Sequence, residues 1–354
     1  MKVIDQCFGE NWVIYNGDCC DALKGIPDNK IHYSLYSPPF SQLFCYSNSL
    51  HDLGNSKSDE EFQIHYQFMV KELYRVLMPG RLVSIHCMNI PAMKERDGYI
   101  GLKDFRGDMI RAFLGDASFL VPAVRSLRAR QQAAFIAGDM YRHGKIQDSI
   151  DTIESEMAEY SDTGFIYHSE VCIWKDPLIE ATRTKALGLM HKQITKDSTR
   201  CRQGLPDYIV TMRKPGDNPE PVTHDGGLKT FYGEDEPEGG VYSHNVWRRY
   251  ASPIWADIRQ GNTLNVVAAR HNDDERHLCP LQIDTINRCL ELWSNPGDTI
   301  LSPFAGIGSE GYGALQMGRR FIGIELKPSY FEQAVKNMPR AVSRLNQQQQ
   351  QLFA

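Results

Sequence analysis

Long apolar runs are missing from this chain of 354 residues. No stretch approaches the roughly 18 apolar residues that a membrane-spanning helix needs. The first segment, MKVIDQCFGENW, lacks the apolar centre of a secretory signal, so a cytoplasmic location is the expectation. The spacing C-x-x-C is absent among the 9 cysteines, although Cys19 and Cys20 are adjacent. Zinc ribbons and thioredoxin-type sites are therefore not supported. The cysteines read as reduced thiols, mostly in the core, and no metal site is expected. Excess charge is slight as well: 39 Lys and Arg stand against 44 Asp and Glu, a net charge of −5. That balance alone gives no sign of nucleic acid, and a nucleic-acid binder would have to gather its basic residues on one face. No internal repeat is visible. The length suits one large α/β domain with an accessory region.

What is present is an alternation of strands and helices at both ends of the chain. Val13-Ile14-Tyr15 is a β-rich run closed by Asn16-Gly17-Asp18, and Ile31 to Tyr36 is a second one. Phe62, Tyr66, Met69, Leu73 and Leu77 mark one helical face; Pro79-Gly80 stops it, and a strand runs from Leu82 to Cys87. The last third reads helix, Pro-Gly turn, strand, glycine loop, helix, strand, helix. Such a rhythm predicts a parallel sheet covered by helices. The middle departs from it. Residues 104–162 read as helical, with Ile146, Ile150, Ile153 and Met157 on one face, an amphipathic insertion. "GFIYHSEVCIWKDP" reads as a strand or strand pair. Residues 215–240 read as an exposed loop, and the tail "NQQQQQLFA" as frayed.

Two short stretches carry chemistry. The first is Ser37-Pro38-Pro39-Phe40, straight after the second strand. Two prolines fix φ and donate no hydrogen bonds, so the turn is rigid. It offers a hydroxyl, free carbonyls and an aromatic ring, a set that can grip a flat polar ring. The second is Ser302-Pro303-Phe304-Ala305-Gly306-Ile307-Gly308, between a strand and a helix. Glycines there let a ligand approach the backbone. The next strand, Phe321 to Ile324, ends in Glu325, where a ribose diol would be held. Glu310 at the helix start would oppose a pyrophosphate, and no P-loop lysine follows. A ligand with an adenosine diol but no phosphate, such as S-adenosyl-L-methionine, suits this loop.

Together these motifs resemble the amino-methylating DNA methyltransferases, which modify cytosine N4 or adenine N6. Ser37-Pro38-Pro39-Phe40 is similar to their catalytic motif, and residues 302–308 to their D-P-F-x-G-x-G cofactor motif. Gly323-Ile324-Glu325 and Gly17-Asp18 match two further segments. The likeness covers roughly residues 10–95 and 275–340, with the catalytic motif first, as in the permuted β arrangement. It implies a Rossmann-like α/β sheet with helices on both faces and an inserted target-recognition region. The expected divisions are 1–104 (catalytic half), 105–164 (helical insertion), 165–274 (target recognition), 275–340 (cofactor half) and 341–354 (tail). Two positions depart from the pattern. Ser302 stands where an acid is usual, and Cys279 where many adenine-modifying relatives have lysine.

The resemblance implies S-adenosyl-L-methionine at Ser302, Pro303, Phe304, Ala305, Gly306, Gly308 and Glu325, with Asp18 beside the adenine. Read alone, Asp18 is equally a turn acid. It implies double-stranded DNA as partner, with the target base flipped out because its amine is otherwise paired. Ser37 Oγ and the Pro38 carbonyl would accept the amine hydrogens, Pro39 would stiffen the turn, and Phe40 would stack on the base. His86 reads as a core or hydrogen-bonded histidine, with a catalyst the alternative. Arg183, Lys185, Lys192, Lys196, Arg200 and Arg202 are the candidate phosphate contacts, or else a solvated face. A homodimer is compatible. Ser in the first motif position favours cytosine N4, with adenine N6 the alternative. Protein-glutamine or RNA methylation and a degenerate DNA-binding module are further rivals. Cytosine carbon-5 chemistry needs a Pro-Cys nucleophile, and here the order is Cys279-Pro280.

Overall fold

The computed structural model describes residues 3–39, 59–92, 94–115, 121–160, 164–184, 191–224, 228, 241–264 and 281–352. The chain opens with strands β1 (Asp5–Phe8) and β2 (Trp12–Asn16), then helix α1 (Cys19–Leu23) and β3 (Ile31–Tyr36). Next come α2 (Asp59–Val76) and β4 (Leu77–Cys87), followed by β5 (Ile90–Ala92), α3 (Lys94–Asp97) and β6 (Gly101–Lys103). Three helices follow, α4 (Phe105–Leu114), α5 (Val121–Ile136) and α6 (Met140–Tyr160). Then come β7 (Ile166–Ile173), α7 (Pro177–Thr184), α8 (His191–Asp197) and β8 (Asp207–Arg213), and after them α9 (Val241–Ala251) and β9 (Ile254–Trp255). The last elements are α10 (Ile283–Trp293), β10 (Thr299–Ser302), α11 (Ser309–Gln316), β11 (Arg320–Glu325) and α12 (Pro328–Leu352).

The main sheet has 9 strands in the order β1-β2-β11-β10-β3-β4-β8-β7-β9. From β2 to β4 all neighbours run parallel, while β1 and β8 are antiparallel to the strands beside them. Strand β3 lies at the centre and reads Ile-His-Tyr-Ser-Leu-Tyr, nearly all buried. Burial on both faces is what helices on both sides of a parallel sheet demand. One face carries α1, α2 and α4, through Leu23, Phe62, Tyr66, Leu73, Met109 and Phe113. The other carries α10, α11 and α12, through Ile286, Leu290, Leu315, Phe331 and Met338. The predicted α/β sheet with helices on both faces is the observed fold.

Several details differ from the sequence reading. Pro79 and Gly80 lie inside β4 rather than ahead of it. Gly80 takes the left-handed backbone at φ +71°, and the pairing with β3 slips between Ile31 and Tyr33, which lets the strand continue past the break. The helical stretch beginning at 104 divides in two. Phe105, Met109, Ala112 and Phe113 of α4 are buried in the main core. Only α5 and α6 stand apart, as a hairpin closed by Val124, Ala134, Ile146 and Ile150 with Ile153 beside them. The Met157 side chain lies outside the described residues. Strands β7, β8 and β9 fall within 165–274 yet belong to the central sheet. The glutamine-rich tail is helical to Leu352, not frayed. Phe331, Ala334, Met338 and Ala341 bury one face of α12, and glutamine prolongs a helix readily. All described cysteines are free; Cys19, Cys87 and Cys289 are buried, and Cys7, Cys20, Cys172 and Cys201 are half-buried. Among the described residues no helix is long and apolar enough to cross a membrane.

Candidate active site

In a sheet of this kind ligands sit beyond the carboxyl ends of the parallel strands, at the switch in strand order. Here the switch falls between β10 and β3, since β10 leads to a helix on one face and β3 to a helix on the other. The glycine loop leaves β10 and the Ser-Pro-Pro turn leaves β3. Ser34 pairs in register with Leu301, and its Oγ donates to the Leu301 carbonyl at 2.9 Å. Three residues further along each strand, the chemistry begins. The rings of Tyr36 and Phe304 lie 5.5 Å apart across the two strand ends. The two motifs are thus neighbours in space although 267 residues separate the paired strands.

The glycine loop is held from behind by Glu325. Glu325 Oε2 accepts the Gly306 N–H at 2.8 Å, and Oε1 accepts the Lys327 N–H at 2.8 Å. A carboxylate is an acceptor of the kind that a ribose diol requires. Gly306 has φ +54°, and a Cβ built there would meet nothing within 4 Å, so this backbone faces open space. Ser302 is fully buried at the end of β10. Its Oγ and that of Ser309 find no protein partner among the described residues, hydrogen-bonding capacity that a ligand's polar end can take up. Pro303, Phe304 and Ala305 complete the turn, and the Ala305 N–H is fixed to the Ile324 carbonyl at 2.8 Å. These features fit an adenosine-type cofactor. Asp18 caps α1, its Oδ1 accepting the Asp21 N–H at 3.1 Å. It stands one strand over from Glu325, because Asn16 pairs with Glu325 across β2 and β11.

Gly308 has a different task. Its φ is +82°, and a Cβ there would come within 2.7 Å of Met338 Cε and 3.2 Å of Ala334 Cβ. The glycine lets the start of α11 press against α12. Gly308→Ala is expected to destabilise the fold by about 1–2 kcal/mol from backbone strain alone, read by chemical denaturation. Glu310, also in the first turn of α11, is buried. Burial raises its carboxyl pKa to about 8, with Glu325 adding to the shift and its own backbone N–H opposing it. At neutral pH the group is therefore largely protonated. The repulsion of a pyrophosphate expected from the sequence is correspondingly weak, and the loop geometry is the sounder reason to read an adenosine ligand.

The Ser37 turn is anchored by a residue from β4. Ser37 is half-buried, and its Oγ lies 2.8 Å from His86 Nδ1. The other ring nitrogen, Nε2, lies 3.1 Å from Asp207 Oδ2. Asp207 opens β8 and also pairs with Lys175 through Oδ1. Burial raises the Asp207 pKa, but Lys175 and His86 outweigh it and hold the carboxyl at about 2. Pro38 is buried behind Ser37, and Pro39 is half-buried.

A family model described as a DNA methylase, of the N6/N4 type, matches residues 31–336. The chain belongs to this DNA methylase family. It is 23% identical to the type II methyltransferase M.BglI of Bacillus subtilis over 346 residues, 92% of this chain and 84% of that one. It is 22% identical to M.BamHI of Bacillus amyloliquefaciens over 88% of this chain and 54% of the relative. Among solved structures, TTHA0409 of Thermus thermophilus, described as a DNA modification methylase and complexed with S-adenosyl-L-methionine, superposes with a TM-score of 0.54 at 19% identity, covering 93% of each chain. PvuII DNA methyltransferase, cytosine-N4-specific, gives 0.54 at 13% identity, covering 95% of this chain and 93% of that one. At these identities the structural likeness speaks for the fold.

The methylase's predicted DNA contacts do not form one described surface. Lys196 is exposed on α8. Arg202 is tied down: its Nη1 donates to the Gln203 carbonyl at 2.9 Å and its Nη2 lies 3.5 Å from the buried Glu180. A guanidinium already paired inside the protein is a poor phosphate ligand. The side chains of Arg183, Lys192 and Arg200, and all of Phe40, Lys185 and Cys279, lie outside the described residues. Asn16 and Asp207 escaped the sequence reading. Asn16 Nδ2 donates to the carbonyls of Glu325 and Leu326 at 2.8 and 3.0 Å, fixing the strand end that carries Glu325. A turn asparagine offers no sign of that before the strands are paired.

Proposed function

We propose that this methylase transfers a methyl group from S-adenosyl-L-methionine to the exocyclic N4 amine of a cytosine flipped out of double-stranded DNA. The observation that carries the reading is the convergence of the two turns: the Ser37 turn and the Gly306 loop share one sheet edge, with Tyr36 and Phe304 in contact between them. The cofactor supplies an electrophilic methyl group. Glu325 takes the diol, Gly306 gives close backbone approach, and Asp18 lies on the adenine side. Ser37 Oγ and the Pro38 carbonyl accept hydrogen bonds from the amine, which draws the nitrogen lone pair out of conjugation with the ring. Phe40 stacks on the base; stacking of about 1–3 kcal/mol largely offsets the cost of flipping. Serine in the first position supports cytosine over adenine. Nucleoside mass spectrometry of DNA from cells expressing the protein tests this. N4-methylcytosine is the expected product, N6-methyladenine would overturn the base assignment, and no modified base would overturn the enzymatic reading.

Target recognition is proposed for the parts of 165–274 that leave the sheet, including α7 and α8. Charge reversal at Lys192 and Lys196 together is expected to weaken DNA binding. The slope of log affinity against log salt should fall by roughly one unit per lost phosphate contact. A slope equal to wild type in a salt titration would mean that these lysines only face solvent.

A further inference from the structure

Behind Ser37 a line of polar groups crosses three strand ends. Ser37 Oγ and His86 Nδ1 are 2.8 Å apart, His86 Nε2 and Asp207 Oδ2 are 3.1 Å apart, and Asp207 Oδ1 is paired with Lys175. His86 is 7% exposed and Asp207 2%. We propose that His86 is a positioning residue and proton acceptor for the methyl transfer, orienting the Ser37 hydroxyl and receiving through it the hydrogen that the amine must lose. The inference rests on the methyltransferase reading above and adds to it a route for the proton.

The partners of the ring point to one tautomer. Asp207 is an ionised carboxylate and can only accept, so the hydrogen of a neutral His86 ring belongs on Nε2. Nδ1 is then bare, and the Ser37 hydroxyl must donate to it. With its one hydrogen committed inward, Ser37 Oγ presents only lone pairs outward. That is the state an amine N–H requires. A serine without the histidine could turn its hydrogen toward the base and lose this role.

The hydrogen count closes along the same line. As the amine lone pair forms the new N–C bond, the electron pair of the broken S–C bond stays on sulfur. The nitrogen is left with a positive charge and one hydrogen in excess. That hydrogen passes to Ser37 Oγ while the hydroxyl hydrogen passes to Nδ1. The resulting imidazolium faces Asp207, and it returns to neutral by releasing the proton to solvent. No covalent enzyme intermediate forms and no further reactant is needed. Lys175 keeps Asp207 charged throughout. The other charged groups felt at this strand end, through Cys87, are Arg106, Glu170 and Asp104. Arg106 and Glu170 already pair with each other at 2.7 and 2.8 Å.

A purely structural histidine would anchor the turn and nothing more, and His86→Asn separates the two roles. Asparagine can still accept from Ser37 but cannot take up a proton. Single-turnover methylation by His86→Asn should be about a hundredfold slower than wild type, the scale of one lost acid–base group. Binding of S-adenosyl-L-methionine and of DNA should stay within about twofold of wild type, as expected where one acid–base group has been lost and the binding contacts kept. Equal rates would overturn the relay while leaving the methyltransferase reading intact. A wild-type protein that methylates no DNA would overturn both. Nitrogen NMR of the labelled wild-type imidazole is a second test, independent of the variant's folding: a hydrogen on Nε2 supports the relay, and a neutral ring with its hydrogen on Nδ1 overturns it.

Discussion

Ser37→Ala should slow single-turnover methylation by about 10²–10³ and leave cofactor affinity nearly unchanged. The magnitude is that of removing one preorganised polar group from an active site. The selectivity follows from the sheet. Ser37 leaves β3, and Glu325, the proposed diol acid, ends β11, two strands away in the order β11-β10-β3. Two strand spacings amount to about 10 Å, too far for a hydroxyl to support the ribose directly. The variant also leaves His86 Nδ1 without its present partner, whereas Pro38 stays buried and should hold the turn in place. Rapid-quench measurement with a saturating DNA substrate checks the rate, and calorimetry checks the cofactor. A wild-type rate in this variant would make the turn a scaffold.

Glu325→Ala acts at the other end. Loss of a charge-assisted hydrogen bond to the diol costs about 1.5–3 kcal/mol, roughly a 10- to 150-fold loss of affinity. The carboxylate also holds the Gly306 and Lys327 N–H groups, so its removal loosens the loop that the cofactor must touch. Glu325→Gln separates these contributions, because its single carbonyl oxygen can keep one of the backbone bonds while the charge is lost. The glutamine variant should fall between alanine and wild type in calorimetry with S-adenosyl-L-methionine. Unchanged affinity in a folded alanine variant would refute the assignment of the diol acid.

The residues that were legible in the sequence are those whose type is dictated by the backbone or by chemistry at a single point. Gly306 and Gly308 mark positive φ, the double proline marks a rigid turn, and Glu325 marks a strand end. The α/β rhythm at both ends of the chain was readable because parallel strands buried on both faces need continuous apolar runs. His86, Asp207 and Lys175 were not readable as a set. Their meeting depends on β4 pairing antiparallel with β8, and β8 with β7, in one register. A one-residue slip would send His86 to the opposite face. Arg202 misled for a related reason. A basic run looks solvated until its partner, Glu180, folds back from 22 residues away. The helical stretch after 104 was divided wrongly because an amphipathic pattern says that a face is buried, not against what.

The strand order also has a temporal consequence. A ribosome delivers the Ser37 turn well before the glycine loop, since Ser34 and its partner Leu301 are 267 residues apart. At about 5–20 residues per second, roughly 13 to 50 seconds pass between the two. During that interval β2 and β3 both lack the neighbours that will join them, because β11 and β10 lie between them in the finished sheet. The nascent chain therefore holds the Ser37 turn with no glycine loop beside it. Its central strands expose unpaired edges, a state prone to association with other chains. The two turns can meet only after β10 and β11 have been made, and a message cut short before β10 yields a chain that cannot bring them together.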